Sequence, residues 1–439
     1  MNDPRRVPAP DDAAGATAQA PRGRLLTQSI VSILDQGWLS ALNLGVGLLL
    51  IRLATKEDYG IYAQLFVGGL LATTIIDALI TNPLTTLSAS LHGAQRHALL
   101  ARLARFQRQL ALAIAVLTGI ACVVATHLGA GGPAWLLGLC FAAYVYANAR
   151  REYQRSMGFI DGRPDRVFRT DLIYGLGVIV GAALLAWQQW LNLPALFAVL
   201  TLASVAALRT GPALPHIAHD PVAYRQTLQT AWLRGKHALP GATASWVINY
   251  SYLYVTALWL GVTASADLSA SRLLLMPVSL CVVAWARVAC PMMGRLLAQA
   301  PGRLGKLLLA SSIGLELLAA GYLLVLWLAL PWLERHVLSA DYLGLDGLVI
   351  AWGLYFIVYS ARWIATALLM AADRYLALLR ATLAGLALLV VVFPIALSTH
   401  GTIGAVAALA IAEAFTLGLL ALIARPLLRR LPDATSPQP

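Results

Sequence analysis

One apolar segment of the chain carries a stripe of aromatic and cationic side chains. Trp352, Tyr355, Tyr359, Arg362 and Thr366 follow one another at steps of 3, 4, 3 and 4 residues, so a helix places them on one narrow face. Aromatic rings can stack on sugars, and a guanidinium matches the geometry of two phosphate oxygens. The alternative is an interfacial aromatic belt, but a belt occupies a single membrane depth and this stripe extends over several turns. We therefore expect the stripe to line a substrate-binding face.

Two further apolar segments contain candidate binding residues. The first places Asn249, Tyr250 and Tyr254 near the middle of the membrane, where the two tyrosines share a helix face. Tyrosines that only hydrogen-bond to neighbouring helices explain this face equally well. The second segment contains Arg272 and Arg287, and a charge inside a membrane segment marks a substrate or ion pathway by default. Arg272 lies toward the outer side of this segment and Arg287 toward the inner side, and we expect Pro277 and Pro291 to distort its helix.

The first apolar segment is polar along one side. Its polar and small residues fall within an arc of about 140° at 100° per residue. They are Ser32, Asp35, Gln36, Ser40, Asn43 and Gly47. Hydrogen bonding between helices is the alternative explanation, but the charge of Asp35 would be expensive to bury dry. We therefore expect Asp35, Gln36 and Asn43 to line the same cavity.

Two carboxylates lie near the middle of apolar segments in the second half of the chain. Glu316 and Glu413 fall at similar depths in their segments, so the two side chains could approach each other. An intramembrane carboxylate is a proton or cation site by default, and we expect this pair to couple transport to a gradient. The alternative is that each carboxyl group fastens neighbouring helices by hydrogen bonds to nearby hydroxyl groups.

The composition requires a membrane environment. Of the 439 residues, 59% are hydrophobic and only 12% are charged, whereas about a quarter are charged in an average soluble domain. Apolar stretches of about 17 or more residues recur along the chain, and each is long enough to cross a bilayer as a helix. The sequence therefore predicts an all-α membrane protein.

Several other classes of function are excluded by the motifs. The net charge of +12 is not concentrated on a nucleic-acid recognition module, so no nucleic-acid partner is expected. The Gly302 to Lys306 segment lacks the Walker A spacing, so ATP hydrolysis by this chain is not expected. The four cysteines have no metal-ligand spacing, and neither a metal nor a cofactor nor a catalytic residue is expected.

We predict about twelve transmembrane helices. Their approximate positions are 29 to 51, 59 to 82, 108 to 128, 134 to 149, 171 to 187, 194 to 209, 240 to 262, 267 to 290, 307 to 330, 347 to 370, 381 to 398 and 402 to 424. The longest polar interruption falls halfway through this series, which indicates two six-helix lobes. The predicted domains are a disordered cytoplasmic tail (1–24), a first lobe (25–210), a cytoplasmic linker (211–239), a second lobe (240–425) and a second cytoplasmic tail (426–439).

Lys and Arg are distributed unevenly among the connections between these helices. With a cytoplasmic N-terminus, most of the 32 Lys and Arg residues fall in cytoplasmic connections and tails, and the outer side receives Arg52, Lys56 and Arg335. This asymmetry is the positive-inside pattern. We therefore predict a multi-pass protein of the bacterial inner membrane with both termini in the cytoplasm.

A series of short motifs resembles one transporter family. The motifs are Ser32-Ile-Leu-Asp-Gln36, Asn43, Arg52, Asp58-Tyr-Gly-Ile-Tyr62, Arg150-Arg-Glu-Tyr153, Asp171-Leu-Ile-Tyr-Gly175, and Ala270-Ser-Arg272 followed by Pro277 and Pro291. Their order and spacing resemble the polysaccharide exporters, including O-antigen flippases, of the multidrug/oligosaccharidyl-lipid/polysaccharide flippase superfamily. The resemblance extends over nearly all the membrane region.

The resemblance implies a MATE-like fold in which two six-helix lobes surround a central cationic cavity. The implied activity is alternating-access transfer of an undecaprenyl-diphosphate-linked glycan across the bilayer, without enzymatic chemistry. Arg272 and Arg362 would then face the substrate's phosphates, and Tyr355 and Tyr359 its sugars. The implied partners are membrane lipid, a polysaccharide polymerase and glycosyltransferases. Two alternatives remain, a multidrug or cation antiporter of the same fold and a non-catalytic subunit of a polysaccharide assembly complex.

Overall fold

The computed structural model describes residues 22–88, 91, 93–129, 134–211, 220–299 and 301–429. These residues form α-helices and short helical turns, with no strand among them. The helices are α1 (Arg22–Leu53), α2 (Lys56–Ile76), α3 (Asn82–Ser88), α4 (Gly93–Gly129), α5 (Ala134–Ile160), α6 (Pro164–Trp187), α7 (Leu193–Leu208), α8 (Pro221–Leu260), α9 (Val262–Leu274), α10 (Met276–Gln299), α11 (Leu304–His336), α12 (Asp346–Ala371) and α13 (Tyr375–Arg429). The predicted all-α class is confirmed.

Eight helical segments of the described chain are long and apolar enough to cross a membrane. One of them, Tyr375–Leu427, has 53 residues and would be about 80 Å long if straight, against a hydrocarbon core of about 30 Å. It bends at Gly401, whose φ of 57° is outside the helical region, so α13 forms two arms. These two arms coincide with the last two predicted spans, and the remaining predicted spans coincide with α1, α2, α4 to α12. The chain is a multi-pass membrane protein.

The predicted span at 267 to 290 is not one continuous helix. The chain leaves the helical conformation at Leu275, between α9 and α10, two residues before Pro277. A proline has no backbone N–H and disfavours helical conformation at the preceding residue, which explains a break here. Pro291, for which we also expected a distortion, lies inside α10 without ending it.

Part of the predicted cytoplasmic linker is helical in the structure. Helix α8 begins at Pro221, where the Asp220 carboxylate caps it by accepting from the N–H groups of Val222 and Ala223 at 3.0 and 3.1 Å. Residues 221–239 of the predicted linker are therefore helical, because α8 continues without a break into the membrane segment. Residues 1–21, 212–219 and 430–439 lie outside the described chain.

Helices pack in two groups that meet along α2, α8 and α9. In the first group α4 packs on α5, α7 packs on α5 and α6, and α1 packs on α6. In the second group α12 packs on α10, α11 and α13. Between the groups, α2 contacts both α8 and α9. This arrangement surrounds Arg272 of α9 with residues of α8 and α12.

Candidate functional site

Arg272 lies in the interior and is held by aromatic rings. Its Nη1 donates hydrogen bonds to the Asn249 carbonyl oxygen at 2.8 Å and to the Tyr252 hydroxyl at 2.9 Å. The guanidinium carbon is 5.4 Å from the ring centroid of Tyr250, 5.4 Å from that of Tyr252 and 5.2 Å from that of Trp352. Cation–π contacts of this kind stabilise a cation without neutralising it.

Among the described residues, Arg272 forms no ion pair with a carboxylate within 4.0 Å. The described acidic groups that form ion pairs bind other cations. A positive charge held only by rings, a hydroxyl and a carbonyl dipole keeps its full attraction for an anion, and low surrounding polarity strengthens that attraction. Arg272 is therefore a cation that contacts no described carboxylate, with Glu413 of α13 near enough to interact with it electrostatically, and its role in binding a substrate stays a prediction.

The predicted stripe on α12 is a continuous ladder of contacts. The rings of Trp352 and Tyr355 pack edge to face with centroids 5.2 Å apart, and those of Tyr355 and Tyr359 stack at 5.9 Å. The Arg362 guanidinium lies 5.6 Å from the Tyr359 ring centroid. Trp352 and Tyr355 are buried, with 0% and 3% of their surfaces exposed, so in this conformation they support Arg272 and do not line open space.

A cavity of about 270 Å³ lies beside Tyr359, Arg362 and Thr366 of the stripe. We call it the α12–α13 cavity, and its polar lining consists of Ser245, Asn249, Tyr359, Arg362, Trp363, Thr366, Thr382, Glu413 and Thr416. Within it, the Arg362 Nε donates to the Glu413 carboxylate, which joins α12 to the second arm of α13. Arg362, Tyr359, Thr366 and Asn249 therefore share one cavity, whereas the pairing of Arg362 with Glu413 was not anticipated.

Glu316 and Glu413 do not form the shared site that their depths suggested. Glu316 Oε1 accepts from the Ser360 hydroxyl at 2.9 Å, whereas Glu413 binds Arg362. Ser360 and Arg362 are two residues apart on α12, which places them about 200° apart around the helix. The two carboxylates therefore lie on opposite sides of α12, because Glu316 binds Ser360 on one side and Glu413 binds Arg362 on the other. The expectation that they approach each other is wrong, and a role in coupling stays a prediction.

A second cavity, of about 600 Å³, lies between the two helix groups. This α1–α10 cavity has Ser32, Gln36 and Ser40 on α1 and Cys281 and Arg287 on α10. Its apolar lining includes Ile33 and Val288, whose surfaces are 59% and 65% exposed. Predicted residues Gln36 and Arg287 thus face each other across an opening that separates the two groups.

Asp35 belongs to a buried ion network and does not line the α1–α10 cavity. Its Oδ2 accepts from Arg155 Nη2 at 2.9 Å, and its surface is fully buried. Arg155 also donates to Asp171 at 2.5 Å and to Glu152 at 2.6 Å, while Arg151 donates to Asp171 at 2.5 Å. The expectation that Asp35 faces a water-filled cavity is therefore wrong, since Arg155 of α5 supplies its counter-charge and also pairs with Asp171 of α6. Asn43, on the same helix, is partly buried.

The opposite end of the molecule is closed by contacts between the groups. We call it the closed end. There the Lys56 ammonium pairs with Asp267 at 2.7 Å, and Arg52 Nη1 donates to the Leu338 carbonyl oxygen at 2.7 Å. Deeper in the membrane, the Tyr254 hydroxyl donates to the Gln64 carbonyl oxygen at 2.7 Å. Tyr254 therefore bridges the two groups and is separate from the α12–α13 cavity.

Two sets of residues were missed by reasoning from the sequence. The sequence places Arg151 in a motif of the resemblance and Lys56 among the outer-side cations, but it predicts neither the ion network of Arg151 and Arg155 nor the pairing of Lys56 with Asp267. The spacing of Arg151, Glu152 and Arg155 on one helix was a usable signal of an ion network. Lys56 and Asp267 are 211 positions apart in the sequence, so no local sequence pattern predicts their contact.

Comparison with known proteins identifies solved structures that have the same fold. No protein-family model and no curated protein matches the sequence. Among solved structures, the inward-facing conformation of a multidrug resistance MATE family transporter of the MOP superfamily has a TM-score of 0.73 and 14% identity, covering 93% of this chain and 100% of that one. The lipid II flippase MurJ, in an inward closed conformation, also has a TM-score of 0.73, with 13% identity over 91% of this chain and 87% of that one.

The same comparison bears on conformation. The outward-facing conformation of a multidrug resistance MATE family transporter of the MOP superfamily has a TM-score of 0.55, at 13% identity over 93% of this chain and 96% of that one. Both solved structures share the fold of this chain, which has contacts between the helix groups at the closed end and an opening between α1 and α10. The expected MATE-like fold is confirmed, and the chain has the fold of the MOP-superfamily transporters.

Proposed function

We propose that this protein is a flippase that moves a lipid-diphosphate-linked oligosaccharide from the cytoplasmic to the periplasmic leaflet by alternating access. The observation that carries the proposal is Arg272, a cation at membrane depth with no acidic ion-pair partner among the described residues. A diphosphate cannot enter a low-dielectric interior without fixed positive charge to replace its hydration.

The surroundings of Arg272 suit the rest of such a substrate. Tyr359 lines the α12–α13 cavity and offers an aromatic plane there, and Arg362 lines the same cavity as a second guanidinium. A guanidinium can bind two phosphate oxygens at once through a planar fork. Together these groups provide separate sites for the phosphates and for the sugars.

The α1–α10 cavity supports access from the side. Exposed Ile33 and Val288 line its apolar part, and Gln36 and Arg287 line its polar part. A lipid-linked molecule needs such a mixed opening, because its polyprenyl chain stays in the bilayer while its polar head enters the protein. The lipid II flippase that shares this fold acts on a lipid-linked substrate, which is consistent with this route.

The proposal extends to setting and orientation. We infer that the α1–α10 opening faces the cytoplasm and the closed end faces the periplasm of a bacterial inner membrane, and the positive-inside pattern supports this orientation. A flippase of this kind serves polysaccharide biosynthesis, so glycosyltransferases that build the glycan and a polymerase that consumes it are the proposed partners.

Reconstituted vesicles provide the test. The full chain is incorporated into liposomes with a fluorescent polyprenyl-diphosphate-linked oligosaccharide, and transfer is followed by an enzyme that modifies only outward-facing glycan. We expect transfer that falls at least about tenfold in Arg272→Gln, whereas Arg225→Gln, which removes an exposed arginine of α8, retains it. Transfer by Arg272→Gln at the parental rate would overturn the proposal.

The multidrug alternative is separated by the same vesicles. A cation antiporter would move a fluorescent lipophilic cation, and its transport should improve when Arg272 is neutralised because a cationic cavity repels such a substrate. Export of the cation by the parental protein, with no transfer of the lipid-linked glycan, would favour the antiporter.

A further inference from the structure

Arg362 uses only part of its hydrogen-bonding capacity. Its Nε donates to Glu413, but neither Nη1 nor Nη2 forms a hydrogen bond with a described residue. The side chain keeps 16% of its surface exposed and lines the α12–α13 cavity. Four of the five N–H groups of the guanidinium, two on each Nη, therefore remain available to a molecule in that cavity.

Arg155 shows what a structural arginine looks like in the same protein. Its Nε, Nη1 and Nη2 all donate to carboxylates, at 2.5, 2.6 and 2.9 Å. Buried polar groups are normally satisfied in this way, since an unmade hydrogen bond costs stability. Arg362 departs from that pattern, and its unused donors face space that a ligand can fill.

Glu413 is the only carboxylate that lines this cavity in the described chain. It is 5% exposed, it pairs with Arg362, and it also interacts electrostatically with Arg272. The cavity lining itself carries Arg362 and Glu413, whose charges balance, and Arg272 adjoins the lining by donating to the Asn249 carbonyl oxygen, so the three described groups together leave a net single positive charge. Glu413 therefore holds the Nε of Arg362, beside the two Nη groups that a substrate phosphate would bind.

We propose that Glu413 competes with substrate phosphate for Arg362, and that this competition makes the cavity select diphosphates over monophosphates. The proposal deepens the flippase function and rests on it. A phosphate that binds the free Nη donors approaches the Glu413 carboxylate, and the like charges repel each other. The carboxylate must then leave Arg362.

The number of phosphates decides whether this displacement is favourable. A monophosphate gains Arg362 but loses the Arg362–Glu413 pair, so little net attraction remains. A diphosphate can hold Arg362 and Arg272 together, which offsets the loss of the pair. Specificity of this kind comes from an element that opposes the wrong ligand as well as from contacts to the right one.

The test is a binding measurement on the purified full chain in detergent. Farnesyl diphosphate and farnesyl monophosphate are titrated against the parental protein and against Glu413→Gln. We expect the parental protein to bind the diphosphate at least about tenfold more tightly than the monophosphate. In Glu413→Gln the monophosphate should bind at least about tenfold more tightly than before, so the preference collapses.

Three controls make the result specific. Glu316→Gln removes a carboxyl group on the opposite side of α12 and should leave the preference unchanged. The double variant Glu413→Gln with Arg362→Gln should lose the gain in monophosphate affinity, because the contested group is gone. Glu413→Asp keeps the charge on a shorter side chain and should give a smaller gain, which keeps the test available if Glu413→Gln does not fold.

The outcomes separate this inference from the proposed function. Weaker binding of both ligands in Glu413→Gln and Glu413→Asp would mean that Glu413 positions Arg362, and an unchanged preference would mean that it does not compete. Either result overturns the inference while vesicle transport stands. If the preference collapses as expected but the parental protein transfers no lipid-linked glycan, the competition is upheld and the flippase function is wrong.

Discussion

The Lys56 ammonium and the Asp267 carboxylate form an ion pair of 2.7 Å between α2 and α9, which belong to different halves of the chain. Lys56 also donates to the Asp341 carbonyl oxygen at 3.2 Å and lies 5.3 Å from the Tyr342 ring centroid. Because the α1–α10 cavity opens elsewhere between the same halves, this pair holds the closed end in the conformation described here.

Removing the pair should shift the protein toward opening of the closed end. The two side chains are 25% and 23% exposed, so the pair contributes about 0.2–1 kcal/mol, which corresponds to a population change of about 1.4-fold to fivefold. We expect Asp267→Asn to raise by that factor the rate at which a cysteine introduced at Ser265 is labelled by a membrane-impermeant maleimide. The charge-swapped variant Lys56→Asp with Asp267→Lys should return labelling to the parental rate. Equal labelling in all three proteins would show that the pair does not hold this end closed.

Arg155 pairs with Asp35, Glu152 and Asp171 in one buried ion network. We expect this network to be a major contribution to the stability of the helix group formed by α1 and α4 to α7. Arg155→Leu leaves Asp35 and Asp171 without this counter-charge, and removing one partner of a buried ion pair costs about 3–5 kcal/mol. Thermal unfolding of the detergent-purified protein should therefore occur at a much lower temperature. Arg96→Leu breaks a pair with Asp161 that is 28% and 33% exposed, and it should change stability by less than about 1 kcal/mol. A loss from Arg155→Leu no larger than that from Arg96→Leu would contradict a structural role for the network.

Arg362 should be required as a guanidinium and not only as a charge. We expect Arg362→Ala to reduce glycan transfer in vesicles at least about a hundredfold, and Arg362→Lys to restore less than about a tenth of the loss, because an ammonium cannot reproduce the planar fork. Membrane insertion, measured by the amount of folded protein purified, should be unchanged in Arg362→Lys. Transfer by Arg362→Ala at the parental rate would remove Arg362 from the substrate site.

Reporter fusions test the orientation. A fusion after Arg163, which directly precedes α6, should report the cytoplasm, and a fusion within Leu338 to Asp346 should report the periplasm. These positions lie at the α1–α10 opening and at the closed end, respectively. A periplasmic signal after Arg163 would reverse the orientation and with it the proposed direction of access.

Local periodicity was enough to predict much of the molecule. The apolar runs predicted the helices, the 3.6-residue repeat placed Tyr359, Arg362 and Thr366 on one face, and Pro277 marked the break between α9 and α10. Each of these features depends on residues within a few turns of one another, which a sequence displays directly.

The partners of the buried charges were decided by the tertiary structure alone. Asp35 pairs with Arg155, which is 120 residues away in the sequence, and Glu413 pairs with Arg362, which is 51 residues away. Glu316 accepts a hydrogen bond from Ser360 on the other side of α12. Depth in the membrane limits which residues can meet, but it does not say how each helix is rotated or which helix lies beside it. Those rotations follow from side-chain packing, which sums many weak contacts. Whether a carboxylate faces a water-filled cavity or pairs with a cation is therefore decided only when the helices are assembled.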